Sequence, residues 1–431
     1  MLSVSLRFSR HGAPRILNPI MDTDVRAPLC ASKEYRCAAS AAIRYAVFAA
    51  LLMLLPLTGC RRKHFPQHPA TFREYAWVTN GGSNTVTALD LVNMTTAATI
   101  GVGEDPTAIA VNPTRNEVYV ANSGSGTVSV IDAERNRVAL TIGVHRDPTS
   151  IAVDAQGDRA YVTNAGSNNV SVIDLMKRRE IAAVGVGESP AVVRVSPDGN
   201  TLVVTNRGAG SLSVIDAKTL QVRSVFPGCP GASDAAILPD SSKAFAACTS
   251  GHQVMVVGLA RASSPATEDH ADHLLDLLDV GPSPTHLAMK PDGGEIFVEN
   301  FGGDTVSEIA TNADDVGGAY VVGASPASGV VTADNSTLWV SNFGANTVAA
   351  YSIDDGTLMN RGIGVGDGPG PLALTDSGFL LLAVDQKSGD VSVLRTISYT
   401  PKGEAVTGSL FTVMSAGKHP NAIATKSFNV R

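Results

Sequence analysis

Residues 148–187 read PTSIAVDAQGDRAYVTNAGSNNVSVIDLMKRREIAAVGVG. Three runs of roughly five to seven residues, rich in Val and Ile, are followed by a weaker fourth. Turn-forming clusters bound them at Asp154–Asp158, Gly166–Asn169 and Gly185–Glu188. Short β-branched runs punctuated by Gly, Asn and Asp read as consecutive antiparallel strands.

The pattern repeats along the chain. Words of the type YVTN end at Asn80, Asn122, Asn164 and Asn206, each 42 residues after the last. The frame then meets Cys248, steps 52 residues to Asn300, and continues at 42 to Asn342 and Val384. A fixed period of this size marks a repeat architecture. Four strands in one such period make one blade of a β-propeller, with strand A nearest the axis and strand D outermost. No 3.6-residue period is sustained, which excludes a helical solenoid. The A strands are expected to start at Pro106, Pro148, Pro190, Gly231–Ala232, Pro284, Pro326, Pro371 and Pro420. The chain opens on a B strand, Tyr75–Asn80, and closes on an orphan A strand, His419–Thr425. Pairing these two closes the ring and covers two sheet edges. The expectation is therefore an all-β propeller of eight four-stranded blades, with seven as the alternative if one degenerate repeat is an excursion.

The segments YVTNAGSNNVSVIDLMKRREIAAVGVG, YVANSGSGTVSVIDAERNRVALTIGV and VVTNRGAGSLSVIDAKTLQV resemble the YVTN-type β-propeller repeat of bacterial and archaeal extracytoplasmic proteins. The resemblance spans residues 75–425. It implies the fold, and it is shared with binding proteins, lactonase-like propellers and propellers associated with quinoprotein or haem dehydrogenases. A propeller hosts many functions, so the fold licenses none of them by itself.

The start of the chain carries a second pattern. Arg44 precedes an apolar run, Tyr45–Leu57, that ends in Leu57-Thr58-Gly59-Cys60. A basic region, a short apolar stretch and small residues before a cut describe a secretory signal. The run is too short to remain as a spanning helix, which needs about 20 residues. The four residues ending at Cys60 resemble the bacterial lipobox, which implies cleavage before Cys60 and its acylation. Two or more acyl chains make a stable anchor. Arg61 follows in place of the Asp that retains such proteins at the inner membrane, so an outer-membrane location in the cell envelope is expected. The chain divides into a leader (1–59), a tether (60–74), the propeller (75–425) and a tail (426–431).

Charge narrows the partners. The chain carries 33 Lys/Arg against 40 Asp/Glu, net −7. Residues 1–63 hold 10 of those cations and 3 of those anions, so the remainder carries a net −14. An acidic propeller with no basic stripe and 5% aromatic residues argues against nucleic acid. A membrane, through the anchor, and a protein, glycan or small ligand are the expected partners of a monomer. Of five cysteines, Cys229 and Cys248 remain beyond Cys60. Both fall in the fifth blade toward the same end, and an oxidising compartment permits a disulfide between them. No CxxCH or paired CxxC is present, and no cofactor or structural metal is expected.

Ligands on propellers dock on the face where B–C and D–A loops emerge. The D–A loops read GEDP, HRDP, GESP, GCPG, GPSP, GASP, GDGP and GKHP, and they place Glu188, His145 and His419 on that face. Two residues break the repeat on strand A. Arg194 stands where Ala110 and Ala152 stand, and His286 stands where Ala108 and Ser150 stand. A guanidinium in a small-residue slot needs a partner or water. Arg194, His286, Glu188, His145 and His419 together form the candidate channel-mouth site. Arg194, His286 and Glu188 are the set a lactonase-like reading requires. The repeated Asn residues read as turn scaffold. The blade-five insertion, with His270 and His273 at i, i+3, could share a helical face and hold a metal, although no third ligand is apparent. With no nucleophile–base pair or phosphate loop, binding is expected in place of catalysis.

Overall fold

A computed structural model describes residues 68–260, 271–360, 362–399 and 405–430. The leader, Cys60 and most of the tether lie outside the described residues. Every repeat forms one antiparallel sheet, and the eight sheets stand in a ring. In blade 4 the order from the axis is Pro190–Val195, Thr201–Asn206, Ser211–Asp216 and Gln221–Pro227. Blade 7 interrupts its D strand, which is present as Thr357–Leu358 and Ile363–Gly364.

The burial pattern explains the sequence pattern. Strands B and C are buried almost throughout, as in Thr201–Asn206 and Ser211–Asp216, while the D strand Gln221–Pro227 is largely exposed. A strand covered on both faces reads as a continuous apolar run, which is why the B and C words are so regular. The core lies between blades. Val203, Leu212 and Val214 of blade 4 pack against Ala244, Ala246 and Met255 of blade 5.

The ring closes through a shared blade. Pro420–Asn429 pairs antiparallel with Phe72–Asn80, with Trp77 opposite Ala424 and Phe72 opposite Asn429. This extends the propeller past 75–425 at both ends. The added residues are held by ladder pairing and by Phe428, whose ring lies edge-on to Tyr75 at 5.9 Å.

Blade 8 corrects the frame in two places. Its A strand starts at Pro369, not Pro371, and its B strand ends at Asp385, not Val384. Strand register fixes this, because Pro369 lies opposite Asp385 as Pro326 lies opposite Asn342. The position held by Asn in six other blades is therefore a carboxylate here.

The role expected for those Asn residues also changes in detail. Asn80 and Asn164 are extended, with φ −121° and −115°; the left-handed residues are Asn84, Asn168 and Asn346 at the far side of the hairpin. The buried carboxamide reaches across to strand C. Asn206 Nδ2 donates to Ser211 Oγ at 3.1 Å and Ser213 Oγ at 2.9 Å, and Asn122 does the same to Thr127 and Ser129. A fully buried amide must find acceptors, and the nearest are these hydroxyls. The Asp of each VSVID word does make turn contacts: Asp132 Oδ1 accepts the backbone N–H of Glu134 and Arg135.

Candidate functional site

Each B–C hairpin is tied to the loop that enters its own blade. Ser123 and Gly124 donate to Asp105 and Glu104, Arg207 and Gly208 to Ser189 and Glu188, and Phe343 and Gly344 to Ser325 and Ala324. The residue before each A strand takes positive φ in every blade: Asp105, Asp147, Ser189, Gly231, Ser283, Ser325, Gly368 and His419. Non-glycine residues enter this region at a cost, and an eightfold repetition shows that the hairpin contacts enforce it. The loop face is thus a rigid ring of backbone on which side chains vary.

The space beneath each hairpin is filled in two ways. In most blades the Asn side chain meets a glycine of the D–A loop; a Cβ on Gly187 would lie 2.7 Å from Asn206 Cγ. In blade 5 Cys229 takes the glycine position and Cys248 the Asn position, and the two are joined in a fully buried disulfide with Sγ–Sγ 2.04 Å.

Arg194 and His286 both reach Asp234 in the channel wall. Arg194, from strand A of blade 4, donates through Nη2 to Asp234 Oδ1 at 2.6 Å and through Nε to the Ala235 carbonyl at 2.9 Å. Asp234 lies on strand A of blade 5, Ala232–Ile237. His286, on strand A of blade 6 (Pro284–Met289), sets Nε2 3.9 Å from Asp234 Oδ2 and Nδ1 3.0 Å from Glu299 Oε2. Glu299 is the cross-strand partner of His286 in the same blade. A Cβ on Gly329, from blade 7, would collide with Glu299 Oε1. Other blades carry Ile109, Ile151 and Leu372 at that position, so glycine there makes room for the carboxylate.

Burial sorts these charges. The Arg194 and His286 side chains are 45% and 30% exposed, whereas Asp234 and Glu299 are 6% and 0% exposed. The cations face the channel and the carboxylates stand behind them. Burial pushes the Asp234 carboxyl up, but the charges of Arg194 and His286 and two backbone amides outweigh it and hold it below its usual range. Burial pushes the His286 imidazole down, but the hydrogen bond and charge of Glu299, with Asp234, raise it overall. Burial raises Glu299, and His286 offsets only part of that.

The other three candidates do not join this cluster. Glu188 and His419 are exposed on separate D–A loops. His145 Nε2 turns outward to Glu180 Oε1 at 3.3 Å, on strand D of blade 3. The set Arg194, His286 and Glu188 is therefore corrected: Asp234 and Glu299 supply the carboxylates, because they stand on the strands that touch His286 and Arg194. Both were marked in the sequence. Asp234 occupies the slot of Ala108 and Ser150, and Glu299 the slot of Ala121 and Thr163.

Two shallow depressions open on the loop face. One of about 440 Å3 is lined by Gly81, Gly82, Asp105, Gln386, His419 and Asn421; the other, of about 600 Å3, includes Ser125, His145, Arg146 and Asp147. Phe301 and Phe343 open consecutive B–C hairpins with ring centroids 5.8 Å apart, and Lys387 Nζ stands 4.2 Å above the Phe343 ring. These aromatics break the repeat as Arg194 does, and attention to polar residues alone missed them. Among the described residues no group of three or more His, Cys, Asp or Glu is placed to hold a metal ion. His270 lies outside the described residues, and His273 opens the D strand of blade 5, not a helix.

Parts of the chain match two family models: the Cytochrome D1 heme domain over residues 112–263, and the 7-bladed beta-propeller lactonase over residues 316–402. No curated protein matches. Among solved structures, a dihydro-heme d1 dehydrogenase NirN in complex with DHE is similar with TM-score 0.64 and 15% identity, covering 84% of this chain and 76% of that one. A candidate 6-phosphogluconolactonase from Bacteroides uniformis gives TM-score 0.56 at 14% identity over 82% of this chain and 99% of its own. Kuenenia stuttgartiensis hydrazine synthase gives TM-score 0.50 at 21% identity over 64% and 91%. At these identities the likeness is one of fold. The Cytochrome D1 match includes Arg194 and Asp234 but stops short of His286 and Glu299, and the lactonase match includes none of the four.

Proposed function

We propose that this chain is an extracytoplasmic, lipid-anchored propeller that binds a protein, glycan or small ligand on its B–C and D–A loop face. The observation that carries this reading is the loop ring tied down by hairpin hydrogen bonds, on which the Phe301–Phe343 pair and Lys387 present an aromatic and cationic patch, with Gln386 next to Lys387 lining a shallow depression. A tilted pair of aromatic rings flanked by a cation suits a flat or sugar-like group. Pull-down from native membranes with the full chain, compared with the F301A/F343A double variant, tests it. Recovery of a partner by the parent chain alone supports the loop face, and equal recovery by both refutes it. Labelling with radioactive palmitate should reach the parent and spare Cys60→Ala; labelled C60A would remove the anchor.

A haem is a poor fit to the channel. His286 is the sole histidine on an A strand among the described residues. Both of its ring nitrogens face carboxylates.

A second reading, a lactonase-like hydrolase, is favoured by one observation: Arg194 and His286 converge with two carboxylates in the channel. Here Glu299 would orient the imidazole and His286 would activate water toward a ring ester, with Arg194 on the carbonyl oxygen. Turnover of a sugar-acid lactone that is abolished in His286→Asn would support this reading. Absence of turnover by the parent chain would end it.

A further inference from the structure

Five residues depart from the repeat at one place: Arg194, Asp234, His286, Glu299 and Gly329. They come from four consecutive blades: Arg194 contacts Asp234, Asp234 faces His286, and His286 meets both Glu299 and the Gly329 backbone. A purely structural ion pair needs two of them. The rest carry a cost, since a fully buried carboxylate has been admitted by giving up a large aliphatic side chain on the neighbouring strand. Glu299 Oε1 has no hydrogen-bond partner among the described residues, which is expensive for a buried group. Such an arrangement is retained where it shapes something the scaffold does not need.

What it shapes is the sign of the channel wall. Asp234 occupies Arg194 through Nη2 and leaves Nη1 without a hydrogen bond among the described residues. His286 Nε2 is beyond hydrogen-bonding distance from Asp234 Oδ2 and reaches the channel. Two N–H-bearing cations thus flank one carboxylate from the solvent side, and both carboxylates are screened from solvent by protein. The groups facing His286 are Glu299 on the adjacent strand of its own blade, Asp234 and Arg194 from the two preceding blades, and the Gly329 backbone N–H from the next.

We propose that this cluster is a binding site for a small oxyanion, a carboxylate or phosphate group, held in the channel between Arg194 Nη1 and His286 Nε2. The proposal deepens the binding-module reading by giving one class of ligand, and it rests on that reading. Asp234 tunes the site by competing with the ligand for the same two cations. Glu299 is a positioning residue that fixes the imidazole ring and favours its charged form. Binding strengthens as pH falls through the titration of His286 and weakens above it.

The test is calorimetric titration of the full chain, purified in detergent, with sodium gluconate and separately with inorganic phosphate, at pH 6 and pH 8.5. Saturable binding is expected for at least one probe, several-fold tighter at pH 6. Arg194→Met should weaken it about tenfold or more, as loss of a charge-assisted hydrogen bond does. His286→Gln should abolish the pH dependence. Asp234→Asn should tighten binding, an effect that a merely structural carboxylate would not produce, and this variant keeps the proposal falsifiable if R194M fails to fold. No saturable binding of either probe, or D234N binding no more tightly than the parent chain, overturns the proposal. Anion binding without partner recovery would refute the loop-face reading alone; partner recovery without anion binding would refute the channel site alone.

Discussion

Replacing Asp385 by Asn should make the propeller more stable at pH 8 and by roughly a third as much at pH 5, where part of the ionisation penalty is already present. In six blades the equivalent residue is Asn, whose Nδ2 donates to strand C. Asp385 is fully buried, accepts from Ser392 Oγ at 2.7 Å, and has Asp390 where other blades place Thr127, Ser211 or Thr305. Burial, opposed by the Ser392 hydrogen bond but reinforced by Asp390, pushes its carboxyl up from 3.8 to about 7. The native state therefore holds a proton that the unfolded chain releases near pH 4. Stability is fully present below pH 4, falls as pH rises toward 7, and levels off above. That rise in the carboxyl's pKa corresponds to roughly 4 kcal/mol at most, and sharing of the charge with Asp390 reduces this to about 1–3 kcal/mol. The carboxamide of the D385N variant cannot ionise, so that penalty disappears. Glu74, also raised to about 7 by burial and Asp376, leaves a residual slope in the variant. The assay is the urea midpoint of parent and D385N at pH 5 and pH 8, with D390T as a second probe that removes only the neighbouring charge. A gain of equal size at both pH values, or a loss at pH 8, would refute the reasoning.

Gly329→Ala should destabilise by about 1–3 kcal/mol through overpacking against Glu299, and the cost should nearly vanish in an E299S background. A denaturation double-mutant cycle with no coupling would contradict the close approach. Cys229→Ser with Cys248→Ser opens a bridge across 19 residues and should cost about 3 kcal/mol by the chain-entropy argument; the parent's urea midpoint should fall to the variant's only when reductant is added, and no difference between oxidised parent and variant would contradict this. Asn206→Ala removes two buried hydrogen bonds and should cost about 1–3 kcal/mol. Thermal unfolding that leaves N206A unchanged would show that the carboxamide does not support the hairpin.

The departures from the repeat carried most of the information about the site, and they were unequally legible. Arg194 and His286 stand out because a charged or ring side chain replaces Ala or Ser on the same strand. Asp234 breaks the same slot as His286 and Glu299 the cross-strand slot on strand B, yet an isolated acidic residue in a strand does not reveal whether it faces a cation or water. Gly329 is the hardest to read, since its meaning lies in what it admits from another strand. Phe301 and Phe343 resemble ordinary apolar residues until their hairpins are seen side by side.

By itself the sequence determined the blade and the way the ring closes, and it favoured eight blades over seven. The reason is that these follow from local periodicity: turn residues stop each strand, β-branched runs fill it, and an orphan A strand must pair with an orphan B strand. It could place blade 8 only to within two residues, because the frame was carried by spacing where Asp replaces Asn. Tertiary structure alone decided which charges meet. Arg194 and Asp234 are 40 residues apart, and His286 lies in the next blade again. Neighbouring A strands become adjacent only when whole blades pack around the axis. The same packing decided that the cations face water while the carboxylates lie behind them, and no linear pattern encodes that depth.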